Sequence, residues 1–106
     1  MNSSRQKVVS QIKEAIHQVN PDAEIVLFGS QARQESNHRS DWDLLILVDH
    51  PIQDIEDEKK YREALFEVEL ETGQPISTFV LTKKDWETKY TVTPFYQNVQ
   101  KDGILL

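Results

Sequence analysis

Apolar positions along this chain recur with helical spacing in two stretches. In the first twenty residues five apolar side chains are spaced three or four apart, which places them on one face of a helix: Val8, Ile12, Ala15, Ile16 and Val19. Asn20-Pro21 marks the end of that helix. A second stripe, from Ile55 to Val68, predicts a long helix that ends at Thr72-Gly73. The pattern therefore predicts two amphipathic helices.

Three apolar runs between and after these helices predict buried strands. They extend from Glu24 to Phe28, from Trp42 to Val48 and from Pro75 to Thr82. A short helix or turn and then a polar loop lie between the first two runs. Two short helices, Lys83 to Lys89 and Pro94 to Lys101, follow the third run. Alternating helices and strands predict an α/β (α+β) fold with a small mixed sheet of about three strands packed with helices.

Length, composition and net charge limit the kinds of molecule that this protein could bind. The 106 residues suffice for one domain, spanning residues 1–106, and they include no cysteine for disulfides or thiolate ligands. We expect a cytoplasmic protein without membrane contact, because the chain has neither a signal-peptide core nor an apolar run of about 18 residues. Its net charge of -6 repels nucleic-acid backbones. This charge argues against a nucleic-acid partner and favours a small substrate or another protein.

Two aspartates separated by one residue provide a candidate metal site. Asp41 and Asp43 open the second predicted strand, where residues two apart share a face and lie about 6.6 Å apart along the backbone. Paired carboxylates bind hard divalent cations such as Mg²⁺, and two such ions can promote displacement at phosphorus. An isolated Asp-x-Asp has a simpler interpretation, in which Asp41 caps a turn and Asp43 is a solvated residue at the strand edge.

A Gly-Ser dipeptide upstream favours the metal-site interpretation. Gly29 allows the backbone to approach a phosphate, and Ser30 offers a hydroxyl and an amide at the start of a helix, where anions are favoured. Gly-Ser by itself commonly only turns the chain, and the Gly-Lys-Ser/Thr ending of a P-loop is missing. The two motifs together predict a site that holds the phosphates of a nucleotide beside divalent metal.

These residues resemble the motifs of a known protein superfamily. Gly29-Ser30, Ala32-Arg33 and Ser40-Asp41-Trp42-Asp43-Leu44 are similar to the conserved segments of the DNA polymerase beta-like nucleotidyltransferases, in particular of the small stand-alone members called minimal nucleotidyltransferases. The resemblance implies a nucleotidyltransferase fold. It also implies an Mg²⁺-dependent transfer of a nucleoside monophosphate from an NTP, with ATP expected, to a hydroxyl of a protein or small molecule.

The resemblance further implies roles for individual residues. Asp41 and Asp43 would bind Mg²⁺ or Mn²⁺ and act as the catalytic residues, while Gly29 and Ser30 would lie against the triphosphate. Arg33 follows one helical turn after Ser30, and two roles remain open for it: contact with a phosphate, or an ion pair with Asp41 or Asp43.

The chain departs from the family pattern at one position. Active members usually carry a third carboxylate on the next strand, where this chain has Ser77 and Thr78. That acid often accepts the proton of the attacking hydroxyl. Its absence suggests a slow enzyme, a base supplied by another residue, or a fold retained for binding. Glu67, Glu69 and Glu71 are alternative bases, although their position among lysines is more typical of a solvated helix face.

Two classes of function follow. One is a nucleotidyltransferase, and the other is a catalytically weak or inactive nucleotide-binding module, resembling an antitoxin, that acts with a helical partner protein. The aromatic and apolar stretch between Thr93 and Leu106 predicts a homo-oligomer or a complex with such a partner. Alternatively, the terminal Ile104-Leu105-Leu106 folds back onto the sheet.

Overall fold

The computed structural model describes residues 3–33 and 41–106. Its helices are α1 (Ser3–Val19), α2 (Gly29–Arg33), α3 (Ile55–Thr72), α4 (Lys83–Thr88) and α5 (Pro94–Asp102). Its strands are β1 (Glu24–Phe28), β2 (Trp42–Val48), β3 (Ile76–Thr82) and β4 (Ile104–Leu105). The predicted polar loop, with Ser40 of the motif, lies outside the described residues. Within those residues, no helix is both long enough and apolar enough to cross a bilayer.

Local sequence explains where the later helices begin and end. Asp54 caps α3, because its carboxylate accepts a hydrogen bond from the backbone N–H of Asp57. Gly73 ends the same helix in the left-handed conformation, at φ 71°. The hydroxyls of Thr82 and Thr93 cap α4 and α5 in the same way as Asp54.

The sheet has the strand order β3-β2-β1-β4. β1 pairs antiparallel with β2 and β4, while β2 and β3 are parallel and are connected through α3. The predicted mixed sheet packed with helices is confirmed, with one strand more than the three predicted. The additional strand arises because Ile104–Leu105 pairs with β1, and Leu106 then donates its N–H to the carbonyl of Ile25 at 2.8 Å. The terminal apolar residues therefore fold back onto the sheet.

Side chains alternate between two cores on opposite faces of this sheet. On one face, Trp42 and Leu44 of β2 pack with the apolar stripes of α1 and α3. On the other face, Leu45 and Leu47 pack with Trp86 of α4 and with α5. We name these the α1/α3 face and the α4/α5 face. Trp42 is only 2% exposed, which confirms its predicted place in the core.

Candidate functional site

The turn between β1 and α2 brings the backbone against a carboxylate. Gly29 has φ 73°, in the left-handed region that favours glycine. A Cβ atom at this position would overlap with Oδ2 of Asp43. Glycine is therefore required here both for its conformation and for the close approach of Asp43, and the second reason is visible only in the folded chain.

Asp43 lies in a row of three residues across the sheet. It pairs with Phe28 in β1 and with Ser77 in β3, so that the three side chains share the α4/α5 face. The hydroxyl of Ser77 donates to Oδ2 of Asp41 at 3.4 Å. The structure thus brings together Gly29, Asp41 and Asp43, with Ser77 beside both carboxylates.

The charge of Asp41 acts on the carboxylate of Asp43. Burial raises the pKa of Asp43, the negative charge of Asp41 raises it further, and the positive charge of Arg33 lowers it. A divalent cation between the two carboxylates would remove this repulsion, and carboxylate oxygen is the ligand type that Mg²⁺ prefers. The donor pair therefore fits a magnesium ion.

The number of protein ligands indicates how the coordination shell of such an ion would be completed. Within residues 3–33 and 41–106, no group of three or more His, Cys, Asp or Glu side chains could hold a metal. Protein-bound Mg²⁺ commonly has one or two carboxylate ligands and completes its shell with substrate phosphates and water. Asp41 is exposed and hence open to such a substrate. The pair suits an ion that arrives with a nucleotide.

A hydroxyl occupies the β3 position beside Asp43, which is the position where the sequence resemblance led us to expect a third acid. Ser77 is the residue paired with Asp43. Thr78 points to the opposite face with Val80, and its carbonyl accepts a hydrogen bond from Arg62 of α3 at 2.7 Å. The sequence left open whether Ser77 or Thr78 lies beside Asp43. The structure shows that it is Ser77.

The alternative bases Glu67, Glu69 and Glu71 of α3 lie behind the sheet with respect to Asp43, since α3 packs on the α1/α3 face. Glu67 and Glu71 line a groove between α1 and α3. The carboxylate of Glu69 accepts the backbone N–H of Ile76. This placement favours a structural or solvated role for the glutamates and argues against their use as bases.

Side chains of the first and the last helix, α1 and α5, contact the short helix α2. Arg5 of α1 donates to the side-chain oxygen of the buried Gln31 at 2.7 Å and also to its backbone carbonyl. Arg33 forms an ion pair with Asp102 of α5 at 3.6 Å. Sequence reasoning considered Asp41 and Asp43 as ion-pair partners of Arg33, and missed Asp102. Ser30 lies half-buried in the first turn of this helix, directly after Gly29.

Sequence reasoning also missed two phenylalanines that join Phe95 on the α4/α5 face: Phe28 in the row of Asp43, and Phe79 one row further along. Phe28, Phe79 and Phe95 have ring centroids 5.4 to 5.9 Å apart. Two signals in the sequence could have indicated them: Phe28 directly precedes Gly29, and Phe79 is two residues after Ser77 on a strand.

Comparisons with known proteins bear on the family and on the fold. Residues 9–105 match the family model described as "Nucleotidyltransferase domain". The fold is similar to a chain of the "Crystal structure of the toxin-antitoxin with AMP-PNP", with a TM-score of 0.65 and 18% sequence identity. The similarity covers 91% of this chain and 69% of that chain. The comparison with curated proteins gives no match.

Proposed function

This chain belongs to the nucleotidyltransferase domain family, and we propose that it transfers a nucleoside monophosphate from an NTP, with ATP expected, to a hydroxyl of a protein or small molecule. The observation that carries the proposal is the contact of the Gly29 turn with the carboxylate of Asp43, beside Asp41. This arrangement offers backbone amides and metal-binding carboxylates to the same phosphate group. We take residues 1–106 as one nucleotidyltransferase-like domain.

Each candidate residue has a role in this proposal. Asp41 and Asp43 would hold Mg²⁺ or Mn²⁺, which would supply positive charge to the phosphate oxygens and to the pyrophosphate that leaves, and would favour loss of the proton from the attacking hydroxyl. Gly29 and Ser30 bind the triphosphate through the backbone and the serine hydroxyl at the start of α2. Arg33, whose charge already reaches Asp43, adds positive charge near the phosphates.

Binding is tested by the melting temperature in the presence of Mg²⁺ and a non-hydrolysable ATP analogue. A ligand at 100 times its Kd stabilises the folded state by about 2.7 kcal/mol, or roughly 10 °C for a domain of this size. The double variant Asp41→Asn/Asp43→Asn should lose this increase. A control with the same change of charge, Asp22→Asn/Glu87→Gln, alters two exposed residues and should keep it. A full increase in the first double variant would contradict the proposed site.

A second candidate function is favoured by Ser77. The serine hydroxyl beside Asp43 is neither a charged metal ligand nor an effective base at neutral pH. We propose as the alternative a catalytically weak nucleotide-binding module, resembling an antitoxin, that acts with a helical partner protein. The fold similarity to a chain of a toxin-antitoxin structure containing AMP-PNP supports this alternative.

Transfer of label from α-labelled ATP to proteins of a cell extract separates the two candidates. A weak catalyst should label few acceptors, and Ser77→Asp should increase labelling about tenfold or more by completing the carboxylate set. Thr78→Asp is the matched control, because Thr78 lies on the opposite face of the sheet and should give no increase. Strong labelling by the wild-type protein would exclude the weak module and support the enzyme.

The partners in this proposal are a nucleoside triphosphate and either a helical protein or a second copy of the chain. Light scattering on the purified protein, alone and with a candidate partner, measures the assembly. The cytoplasmic location remains a prediction from the sequence.

A further inference from the structure

A surface of three phenyl rings adjoins the row of Asp43 on the α4/α5 face. Phe28 pairs with Asp43, and Phe79 lies two residues after Ser77 and therefore one row further along the same face. Phe95 of α5 contacts both rings, with its centroid 5.4 Å from that of Phe28 and 5.5 Å from that of Phe79. We name these three residues the phenyl triangle.

Phe79 is the outermost ring of the triangle. Its side chain is 44% exposed, whereas Phe28 and Phe95 are half-buried against the core of Leu45 and Leu47. Trp86 packs behind Phe95 with ring centroids 5.3 Å apart. The core therefore packs under the triangle, and Phe79 is its most exposed member, next to the candidate phosphate site.

Exposure of an aromatic ring is not by itself a sign of binding, and Phe66 illustrates this. Phe66 is 56% exposed on α3, but α3 packs on the opposite face of the sheet. Among the aromatic residues of the described ranges 3–33 and 41–106, only Phe79 combines an exposed ring with a place one row from Asp43. Apolar surfaces lined with aromatic side chains, beside a few polar groups, are typical of small-molecule sites.

We propose that the phenyl triangle is the subsite for the nucleobase of the NTP, with Phe79 as the stacking surface. This inference rests on the proposed function. Two residues of strand, roughly 6.6 Å, separate the row of Asp43 from the row of Phe79, and a ribose spans a comparable distance between its α-phosphate and its base. Stacking uses the π-face that every base has, so the subsite accepts all four bases and favours the larger purines.

The test compares two probes in the presence of Mg²⁺: a non-hydrolysable ATP analogue and inorganic triphosphate, which lacks a base. Phe79→Ala should weaken the binding of the analogue about 5- to 100-fold and leave the binding of triphosphate unchanged. Phe79→Leu keeps an apolar side chain of similar size and should also weaken the analogue, because stacking requires the ring. Phe66→Ala, the matched control, should change neither affinity. Melting temperatures of all variants establish that they are folded.

The outcomes distinguish this inference from the proposed function. If the wild-type protein binds the analogue no more tightly than triphosphate, or if Phe79→Leu binds the analogue as the wild type does, the inference is wrong and the proposed function stands. Loss of triphosphate binding in both Phe79 variants also overturns it, since the ring would then support the site and not the base. If the wild-type protein binds neither probe, the proposed function itself fails.

Discussion

At the scale of single residues, the absence of a side chain at Gly29 and the position of the Asp43 carboxylate depend on each other. Gly29→Ala introduces a Cβ in the left-handed conformation and against the Asp43 carboxylate, and we expect a loss of about 2–4 kcal/mol in the free energy of unfolding. In an Asp43→Ala background the carboxylate is gone, so only the conformational cost of about 1–2 kcal/mol remains. Urea denaturation of the four proteins of this double-mutant cycle measures the difference. Additive effects would show that the contact is unimportant.

Asp43 itself should make the folded protein less stable at neutral pH. Burial and the charge of Asp41 raise its pKa in the folded state. A group that binds its proton more tightly when folded lowers the free energy of unfolding as the pH rises from its unfolded pKa, about 3.9, through the raised value. At pH values above the raised pKa, Asp43→Asn should therefore stabilise the metal-free protein. This gain in stability should disappear at pH values below the pKa of Asp43 in the unfolded state.

Denaturant midpoints of the wild type and Asp43→Asn, measured between about pH 3.5 and pH 7, check this dependence. Asp22→Asn at an exposed position controls for the change in net charge. A gain independent of pH would indicate that packing, and not ionisation, causes the effect. Since Mg²⁺ requires the ionised carboxylate, its affinity should fall as the pH falls through the pKa of Asp43.

At the scale of elements, the two-residue strand β4 joins the core through one side chain. Ile104 packs against the core of the α1/α3 face, whereas Leu105 is 66% exposed. We expect Ile104→Ala to cost about 1–3 kcal/mol and Leu105→Ala to change the free energy of unfolding by less than about 0.5 kcal/mol. Thermal unfolding of both variants measures this. Equal effects would mean that the terminal residues do not form the strand.

The same strand shows how far the sequence could predict the fold: it offered the return of the terminal residues to the sheet as one alternative, which the structure bears out, but not a fourth strand. β2 and α3 were predicted within a residue or two of their bounds, because a continuous apolar run and a stripe with a capping glycine are local signals. β4 has only two residues, too few to show an alternation of apolar and polar positions. Its existence depends on pairing with β1, which is distant in the chain and leaves no local pattern.

At the scale of the whole molecule, strand register assembles the candidate site. The spacing of Asp41 and Asp43 predicts that they share a face, since residues two apart on a strand do so. Their proximity to Ser77, and the distance of the α3 glutamates from them, depend on the parallel pairing of β2 with β3. A shift of one residue in that register would exchange Ser77 for Thr78, and no pattern within β3 alone distinguishes the two.

The shared sheet also couples the two cores. Neighbouring residues of β2, Leu44 and Leu45, belong to different cores, so that unfolding of this strand disrupts both. The only two tryptophans report on them separately, since Trp42 is buried on the α1/α3 face and Trp86 on the α4/α5 face. We therefore predict a single cooperative transition that both tryptophans report.

The variants Trp86→Phe and Trp42→Phe each leave one tryptophan, and each substitution should cost about 1–2 kcal/mol. Within each variant, the urea midpoint from fluorescence should coincide with the midpoint from far-UV circular dichroism, which makes the comparison independent of that cost. If the fluorescence of Trp86 changed at a lower urea concentration than the circular dichroism, α4 and α5 would unfold first. The phenyl triangle, which requires Phe95 of α5, would then be lost while the carboxylate pair on β2 persisted. Coincident midpoints instead mean that one folding transition forms the carboxylates and the aromatic surface together.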